Sequence, residues 1–472
     1  VDGTTSCLIL HAALDALGGA NVSYHIPDRF TEGYGLSTLA VERAAADGVR
    51  LLVTADIGVR DHAAVRRARE LGLDVVVCDH HLPAGESVPP DAVAVLCPPQ
   101  DGCGYANKAL AACGVSLKLA TALLSEHPRR DSILASMLKL AAIGTVADIV
   151  SLATPENRAI VSLGLGALNA GPHSPGLAAL LGVSGAEPGN IDAQTIGWRI
   201  GPRINAAGRL ADANAVVRLL RERDPAAARA GAAMLDELNR ERQDISGALV
   251  DLAMAQVADP PPGFVVVHGR EEDGFHRGVV GIVAAKVRER VGRPVAIVSV
   301  VGNTAVGSVR SVPGVHAVRA LDAVAALLHR YGGHAAAAGF SLDAARVPEL
   351  AEGLDRWVNA HHDVNDMAED DVVDLVLRPL DVSMSLVKDL GRLEPCGKDN
   401  PPAKVVVESA PSRVRVMKDK HLGFSLGDVR AVWWGAVEHR EALEGARQFL
   451  GSLSINRWQG REEVQLVVDD AR

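Results

Sequence analysis

At 472 residues the chain is too long for one hydrophobic core, and its length suggests about three domains. Hydrophobic residues at 48% and charged residues at 22% predict a folded soluble protein, with no apolar run long enough for a bilayer and no cationic start ahead of an apolar core. A net charge of −10 argues against a surface that grips nucleic acid everywhere, yet leaves room for a local basic groove, because the field follows the distribution of charge as well as its total.

The chain opens on Val1, and DGTTS follows directly, which reads as a loop entered without a run-in. Arg29 stands alone among small and polar neighbours in IPDRFTEGYG. LLVT (51–54) leads to Asp56, AAVRRARELG (63–72) has helical character, and VVVC (75–78) reads as a strand buried on both faces. Strand, helix and strand at that spacing make a βαβ unit, which puts Asp56 and Asp79 at the carboxyl ends of neighbouring parallel strands, where ligands sit in such sheets. MLKLAAIGTVADIV (137–150) predicts a helix with Asp148 near its end. In IGPRINAAGRLADA (200–213), Arg203, Asn205 and Arg209 punctuate a small-residue stretch, where surface salt bridges remain an equal reading.

From 213 to about 258 there is no strand signal, and Leu235, Leu238, Ile245, Leu249 and Leu252 keep a helical stripe until DPPPG (259–263). A long connecting helix is expected there. FVVVHG and PVAIVSV, with GIVAAKVRERVG between them, predict a second α/β region to about 360, and NDMAEDDVVD (365–374) reads as an acidic joint. KVVVES, RVRVM, GFSL, VRAVWWG, LGSLSI and VQLVV then predict a small antiparallel barrel. The expected division is 1–212, 213–262, 263–373 and 374–472.

Four constellations carry possible chemistry. Asp56, Asp79, His80, His81 and Asp148 combine carboxylates with imidazoles, a set that suits Mn²⁺ or Mg²⁺ better than structural zinc; each Asp taken singly reads equally as a cap or turn residue. Ser308, Arg310 and Ser311 in GSVRSVPGVH offer a forked guanidinium and two hydroxyls to a phosphate, and Gly332 and Gly333 precede His334 in RYGGHAAAAGFS, although such glycines also make ordinary turns. The third is the group Arg203, Asn205 and Arg209. In the barrel, Arg413 and Arg415 alternate with apolar residues while Phe424, Trp433, Trp434 and Trp458 supply flat faces, the combination that holds single strands; of the adjacent Trp433 and Trp434, at least one must point inward. The six cysteines contain no CxxC pair, which suits a reducing cytosol; Cys103 and Cys113 read more readily as buried thiols than as ligands.

Over nearly the whole chain, DGTTS, IPDRFTEGYGL, VTADIG, DHHLP, AAIGTVADIV with ENR, GPRINAAGRL, GVVGIVAAKV, GSVRS, GGHAAAAG and PCGKDNP resemble, in this order, the DHH phosphoesterase superfamily, and within it the bacterial RecJ family of single-strand-specific 5′-to-3′ exonucleases. The resemblance implies an α/β fold with a DHH parallel-sheet domain, a connecting helix, a smaller α/β DHHA1 domain and a C-terminal OB-fold barrel. It implies Asp56, His80 and Asp148 as metal ligands, His81 against the scissile phosphate and Asp79 orienting the pair. Arg29, Ser308, Arg310 and Ser311 match residues that hold substrate phosphates, the terminal 5′-phosphate among them, and His334 matches a residue facing the cleft.

The implied activity is release of nucleoside 5′-monophosphates from single-stranded DNA in repair and recombination, with Mn²⁺ or Mg²⁺ as a pair of ions. Implied partners are single-strand-binding protein and a RecQ-type helicase, for a cytoplasmic monomer without membrane contact. Two departures bear on activity. The family's HxDxD element would lie immediately before Val1, so that Asp2 matches only its last acidic position and the second metal site lacks its upstream acids. The family's DNG reads Asp56-Ile57-Gly58 here. A DHH phosphoesterase of short oligonucleotides, lacking such a barrel, and a non-catalytic DNA-binding scaffold are the competing readings.

Overall fold

The computed structural model describes the chain apart from residues 20, 29–31, 34, 84, 86, 363–371, 459 and 460 and the side chains of 457 and 458. Arg29, the side chain of Trp458 and most of the acidic joint thus lie outside the described residues. Two compact units emerge, Val1–His173 with Gly185–Gly201 and Asp371–Arg472, and Ser174–Ser184 with Pro202–Asp370.

The first unit begins with α1 (Asp2–Ala16), α2 (Thr38–Ala46), β1 (Leu51–Ala55), α3 (His62–Glu70), β2 (Asp74–Cys78) and β3 (Ala94–Leu96). DGTTS is the first turn of α1 and not a loop. Its Gly and Thr residues are weak helix formers, and tertiary contacts decide instead: Asp2 accepts hydrogen bonds from the Ala112 and Cys113 amides at 2.8 Å each. The three strands are parallel in the order β1-β2-β3, with Ala55 opposite Cys78, so Asp56 and Asp79 leave neighbouring strand ends as expected. Val75, Val77 and Cys78 are buried, as a covered parallel sheet requires. Then follow α4 (Ala112–Leu123), α5 (Arg130–Ala147) and α6 (Pro155–Ala170). Ile9, Leu10 and Ala13 of α1, Leu117 and Ala120 of α4 and Met137 and Ala141 of α5 share one core with Cys78 of the sheet.

In the second unit α7 (Pro175–Val183) packs on the helices that precede the second sheet. The first unit's segment Gly185–Gly201 carries α8 (Ala193–Thr195) and a π-helical turn (Ile196–Ile200), and α9 (Gly201–Leu210) follows in the chain. The expected single connecting helix is two, α10 (Asn214–Arg221) and α11 (Pro225–Met254). Pro225 occupies the first turn of α11 and the Asp224 carboxylate accepts the Ala227 amide at 2.7 Å, so a cap and a proline restart the helix there. Beyond it lie β4 (Val265–Arg270), α12 (Val280–Val291), β5 (Val295–Val301), β6 (Thr304–Arg310), α13 (Ala317–Asp322), β7 (Leu328–Gly333), β8 (Ala337–Asp343) and α14 (Val347–His361). The sheet order is β4-β5-β6-β8-β7, with only β4 and β5 parallel. Along β5, Val295 and Ile297 face α11 and α12, while Ala296 and Val298 face α13 and α14, the period of two that gives a sheet two cores.

The first unit ends in the barrel: β9 (Leu375–Leu377), α15 (Met384–Leu390), β10 (Val405–Glu408), β11 (Pro411–Met417), β12 (His421–Leu426), β13 (Val429–Trp433), α16 (Arg440–Gly445), β14 (Gln448–Trp458) and β15 (Arg461–Ala471). Their order is β11-β12-β13-β15-β14-β10-β9, with β13 and β15 parallel. The edge strands of this order are β11 and β9, and β9 runs parallel to β10. Val405, Val407, Leu422, Phe424, Phe449 and Leu466 from β10, β12, β14 and β15 share one core, as expected of a small barrel.

Candidate metal centre and phosphate site

Asp56 follows β1 in a left-handed conformation, φ 67°, uncommon for a residue with a side chain and a sign that its surroundings impose it. Two residues on, Gly58 has φ 114°, and a Cβ there would stand 2.7 Å from Thr54 Oγ1, so only glycine makes this turn. The turn brings Val59 N to Asp79 Oδ2 at 3.0 Å. Ile57, where the family has a polar residue, leaves these bonds in place.

Asp79 is 1% exposed and holds its own triplet together. Its Oδ1 accepts the His80 amide at 2.7 Å, the His81 amide at 3.2 Å and His81 Nδ1 at 2.7 Å. Burial alone would raise this carboxyl; the bond from His81, its charge and the backbone donors outweigh it and keep Asp79 below the usual carboxylate range. The same bond raises His81 against its own burial. With Nδ1 engaged, His81 is oriented for Nε2 to act, and its side chain is 38% exposed.

His80 is the hub. Its Nε2 lies 3.2 Å from Asp56 Oδ1, 3.5 Å from Asp148 Oδ2 and 3.8 Å from Asp2 Oδ2. Nε2 and Asp56 Oδ1 are buried, yet neither has a hydrogen bond among the described residues. Asp148 sits where α5 ends, and Asp2 reaches the cluster from the first turn of α1. Three carboxylates facing one imidazole repel one another unless a proton or cation lies between them. Without a cation the site holds protons: burial, then the Asp2 charge, push Asp148 up to about 7. Burial would lower His80, but Asp56, Asp2 and Asp148 together push it up to about 9.

Two groups, Asp56-His80-His81 and Asp2-His80-Asp148, each bring ligand atoms within 4.8 Å of one another. Oxygen donors around one imidazole, with two buried polar atoms lacking partners, fit a hard divalent ion. Because Asp79 holds His81 Nδ1, a contact of His81 with a metal or a phosphate would be made through Nε2. Sequence reasoning left Asp2 out of the ligand set; its signal was a lone acid ahead of small residues, which also describes a cap, and Asp2 does cap α4. Cys113 is buried beside the cluster and donates to Ala141 O at 3.3 Å, so it is a packed thiol.

Ser308 and Arg310 come together on β6: Arg310 Nη1 donates to Ser308 Oγ at 2.9 Å, and a Cβ on Gly281 would be 3.0 Å from Arg310 Nη2 and 3.1 Å from Ser308 Oγ. The guanidinium and hydroxyl thus border the first turn of α12, where the helix dipole favours an anion. Ser311 does not join them. It is 4% exposed and donates its hydroxyl to Val315 O at 2.6 Å, which closes the following turn. His334 is exposed at the β7–β8 hairpin, its amide bonded to Ala337 O. Arg203 pairs with Asp236 at 2.7 Å, and Arg240 pairs with the same carboxylate. Arg209 donates to Gly278 O at 3.0 Å, and Asn205 is half-buried on α9. Arg203 is thus held by an ion pair and Arg209 by a backbone carbonyl.

In the barrel, Trp433 packs on the core with its ring stacked on His439, 5.2 Å between centroids. Trp434 is 58% exposed and is the tryptophan that offers a face, a correction to the expectation for Trp433. Arg413 and Arg415 are exposed on β11. Trp198, which sequence reasoning passed over, is 81% exposed on the π-helical turn, which packs on α5 near Asp148. No helix among the described residues is long and apolar enough to cross a membrane.

Comparison with known proteins finds three matching domains. The profile described as DHH family, N-terminal domain, matches residues 1–145, the DHHA1 domain 262–360 and the RecJ OB domain 373–470. The single-stranded-DNA-specific exonuclease RecJ of Bacillus subtilis is 35% identical over 100% of this chain and 60% of its own length. Its Salmonella typhimurium counterpart is 33% identical over 99% of this chain and 85% of its length. The chain thus spans less than two thirds of the Bacillus relative. The crystal structure of RecJ in complex with Mn²⁺ from Thermus thermophilus superposes with a TM-score of 0.83 at 32% identity, covering 100% of this chain and 67% of that one.

Proposed function

The chain belongs to the RecJ family of DHH phosphoesterases, and on that premise we propose that it is a metal-dependent exonuclease degrading single-stranded DNA from the 5′ end, in repair and recombination. The observation that carries this reading is the convergence of Asp2, Asp56 and Asp148 on His80 Nε2, beside a His81 that Asp79 orients.

Asp56, His80, Asp148 and Asp2 would hold Mn²⁺ or Mg²⁺, a pair of ions in the complete site, and the metal supplies a Lewis acid to the phosphoryl oxygens. His81 directs Nε2 at the scissile phosphate, and Asp79 keeps the ring in that orientation and stabilises its protonated form. Water oxygen bonds to phosphorus, the bond from phosphorus to the 3′ oxygen of the terminal nucleotide breaks, and that oxygen takes up a proton. A nucleoside 5′-monophosphate leaves, and the shortened strand carries a fresh 5′-phosphate. Ser308 and Arg310 at the first turn of α12 hold that phosphate, which would make direction a property of binding. Arg29 and His334 retain their proposed substrate contacts on family resemblance, and Asn205 likewise.

The domain division at 212, 262 and 373 belongs to this proposal. So do a cytoplasmic setting, a monomeric state, and single-strand-binding protein and a RecQ-type helicase as partners, all on resemblance. Against a non-catalytic scaffold stands the intact cluster. Against a short-oligonucleotide phosphoesterase stands the barrel, with exposed Trp434, Arg413 and Arg415.

The test is degradation of 5′-phosphorylated single-stranded DNA by the full-length protein with Mn²⁺. Asp148→Ala should abolish cleavage, and Arg310→Ala should slow it as removal of the 5′-phosphate slows the wild type. Undiminished cleavage by Asp148→Ala would remove it from the ligand set. Equal rates with and without the phosphate would refute the role of Arg310.

A further inference from the structure

The ENR (156–158) and PCGKDNP (395–401) motifs have no place in the chemistry above, although they are far apart in sequence and meet in space. The meeting point is the segment behind Asp148. There α5 ends, Ile149 turns the chain with φ 57°, and residues 150–154 belong to no regular element, so their backbone groups need partners from elsewhere.

The partners come from two sides. Asn157, fully buried, donates Nδ2 to Ser151 O at 2.8 Å and to Ala109 O at 2.7 Å, just ahead of the helix that Asp2 caps. The Leu152 amide donates to Lys398 O at 2.8 Å. Arg158 spreads its guanidinium over three carbonyls, Leu393 at 3.0 Å, Glu394 at 3.4 Å and Pro395 at 3.5 Å. Asn400 Nδ2 closes the other side on Leu393 O at 3.2 Å and Pro395 O at 3.0 Å, and Gly397 and Asn400 bond each other's backbone. A Cβ on Gly397 would stand 2.8 Å from Leu152 Cδ1, so the loop lies directly on that buried leucine.

We propose that Arg158 and Asn400 are positioning residues of the metal site. They clasp the 393–400 loop, which leads into the barrel, against the segment that begins at Asp148. Through Leu152 the clasp fixes where Asp148 stands, 3.5 Å from His80 Nε2. Metal retention therefore depends on a loop contributed from the barrel side of the chain. A planar fork serves three carbonyls and an ammonium does not, so lysine is no substitute at 158. The inference rests on the metal-dependent reading for its functional meaning, but its test does not need cleavage.

Mn²⁺ binding is measured by calorimetry on the full chain and on Arg158→Ala, Arg158→Lys and Asn400→Ala, each first shown to be folded by circular dichroism. The expected result is Mn²⁺ affinity weakened about 10-fold or more in all three, the scale on which outer partners of a metal ligand act. Excess Mn²⁺ should restore cleavage, and the KM for DNA should stay as in the wild type. Affinities within twofold of the wild type in folded variants would overturn the proposal, even with a lowered melting temperature, since that is all a purely structural clasp would show. If Arg158→Ala does not fold, Asn400→Ala decides by the same criterion. Wild-type protein that binds Mn²⁺ and cuts no DNA would refute the nuclease while leaving the clasp to be judged on affinity.

Discussion

Replacing Gly144 by alanine sets two effects of opposite sign against each other. In an unobstructed helix interior the change stabilises by about 1 kcal/mol, because alanine orders more readily than glycine. Gly144 is not unobstructed. Its added Cβ would stand 2.6 Å from Cys113 Sγ and 3.1 Å from Asp2 Oδ1, closer still to Thr5 Oγ1, where ordinary contact begins at 3.4 Å. None of the three neighbours can swing aside: Thr5 Oγ1 bonds Asp2 O, Cys113 Sγ bonds Ala141 O, and Asp2 holds two amides of α4. Overpacking of that kind costs about 1–3 kcal/mol, so the clash wins or nearly cancels the gain. Relief requires α1 and α4 to back away from α5 by several tenths of an ångström, which carries Asp2 away from His80 and Asp148. Mn²⁺ affinity should fall about 10- to 100-fold, the range seen when support for metal ligands is lost. Calorimetric titration with Mn²⁺ and a thermal melt measure both quantities. A variant that is about 1 kcal/mol more stable, with unchanged Mn²⁺ affinity, would refute the claim that this glycine sets the spacing of the site.

The Asp79 carboxyl is kept below its usual value of 3.8, so its stabilisation is present above that pH and lost as pH falls through the lower folded value. Asp79→Asn turns a donor toward Val59 N or His81 and should cost about 1–3 kcal/mol in urea titrations at pH 7 in EDTA, with the deficit shrinking in acid; a constant deficit would contradict this assignment. In the metal-free site burial and the Asp2 charge push Asp148 up to about 7, and, against burial, the three carboxylates push His80 up to about 9; a cation must displace those protons, so Mn²⁺ affinity should climb as pH rises through that range. Binding heats that do not vary among buffers of different ionisation enthalpy would show that no proton is released. Trp434→Ala should weaken single-strand binding by about 1–3 kcal/mol without loss of fold. Trp433→Ala should instead lower the barrel's melting temperature; the reverse pattern would exchange their roles.

The parts of the fold that were legible in the sequence are those whose pattern is local. VVVC announces a covered strand, AAVRRARELG a helix, and the spacing between them a parallel pair, so the placement of Asp56 and Asp79 followed from periodicity. The restart at Asp224-Pro225 was also local, a capping residue followed by proline, but the absence of any strand signal from 213 onward made the stretch read as one helix. The first turn of α1 was not legible, because glycine and threonine argue against a helix and the deciding bonds come from amides 110 and 111 residues away.

The site follows the same rule, which explains why its misses fall where they do. An Asp79 that binds the two residues after it is visible in the triplet itself, whereas Asp2 is a ligand candidate only once α4 has turned its amides toward it. Trp433 and Trp434 are adjacent, and alternation along a strand says that they part; which one turns inward depends on His439, which belongs to the segment after β13. Ser311 has the composition of a phosphate ligand, yet Val315 O claims its hydroxyl through a turn that GSVRSVPGV permits and does not announce. Nothing near Arg158 in sequence explains an arginine, and its three acceptors are carbonyls, groups that every residue has and no sequence can mark. Side chains that bind backbone far away are therefore the ones a sequence hides best, and here they stand directly behind Asp148, a proposed metal ligand.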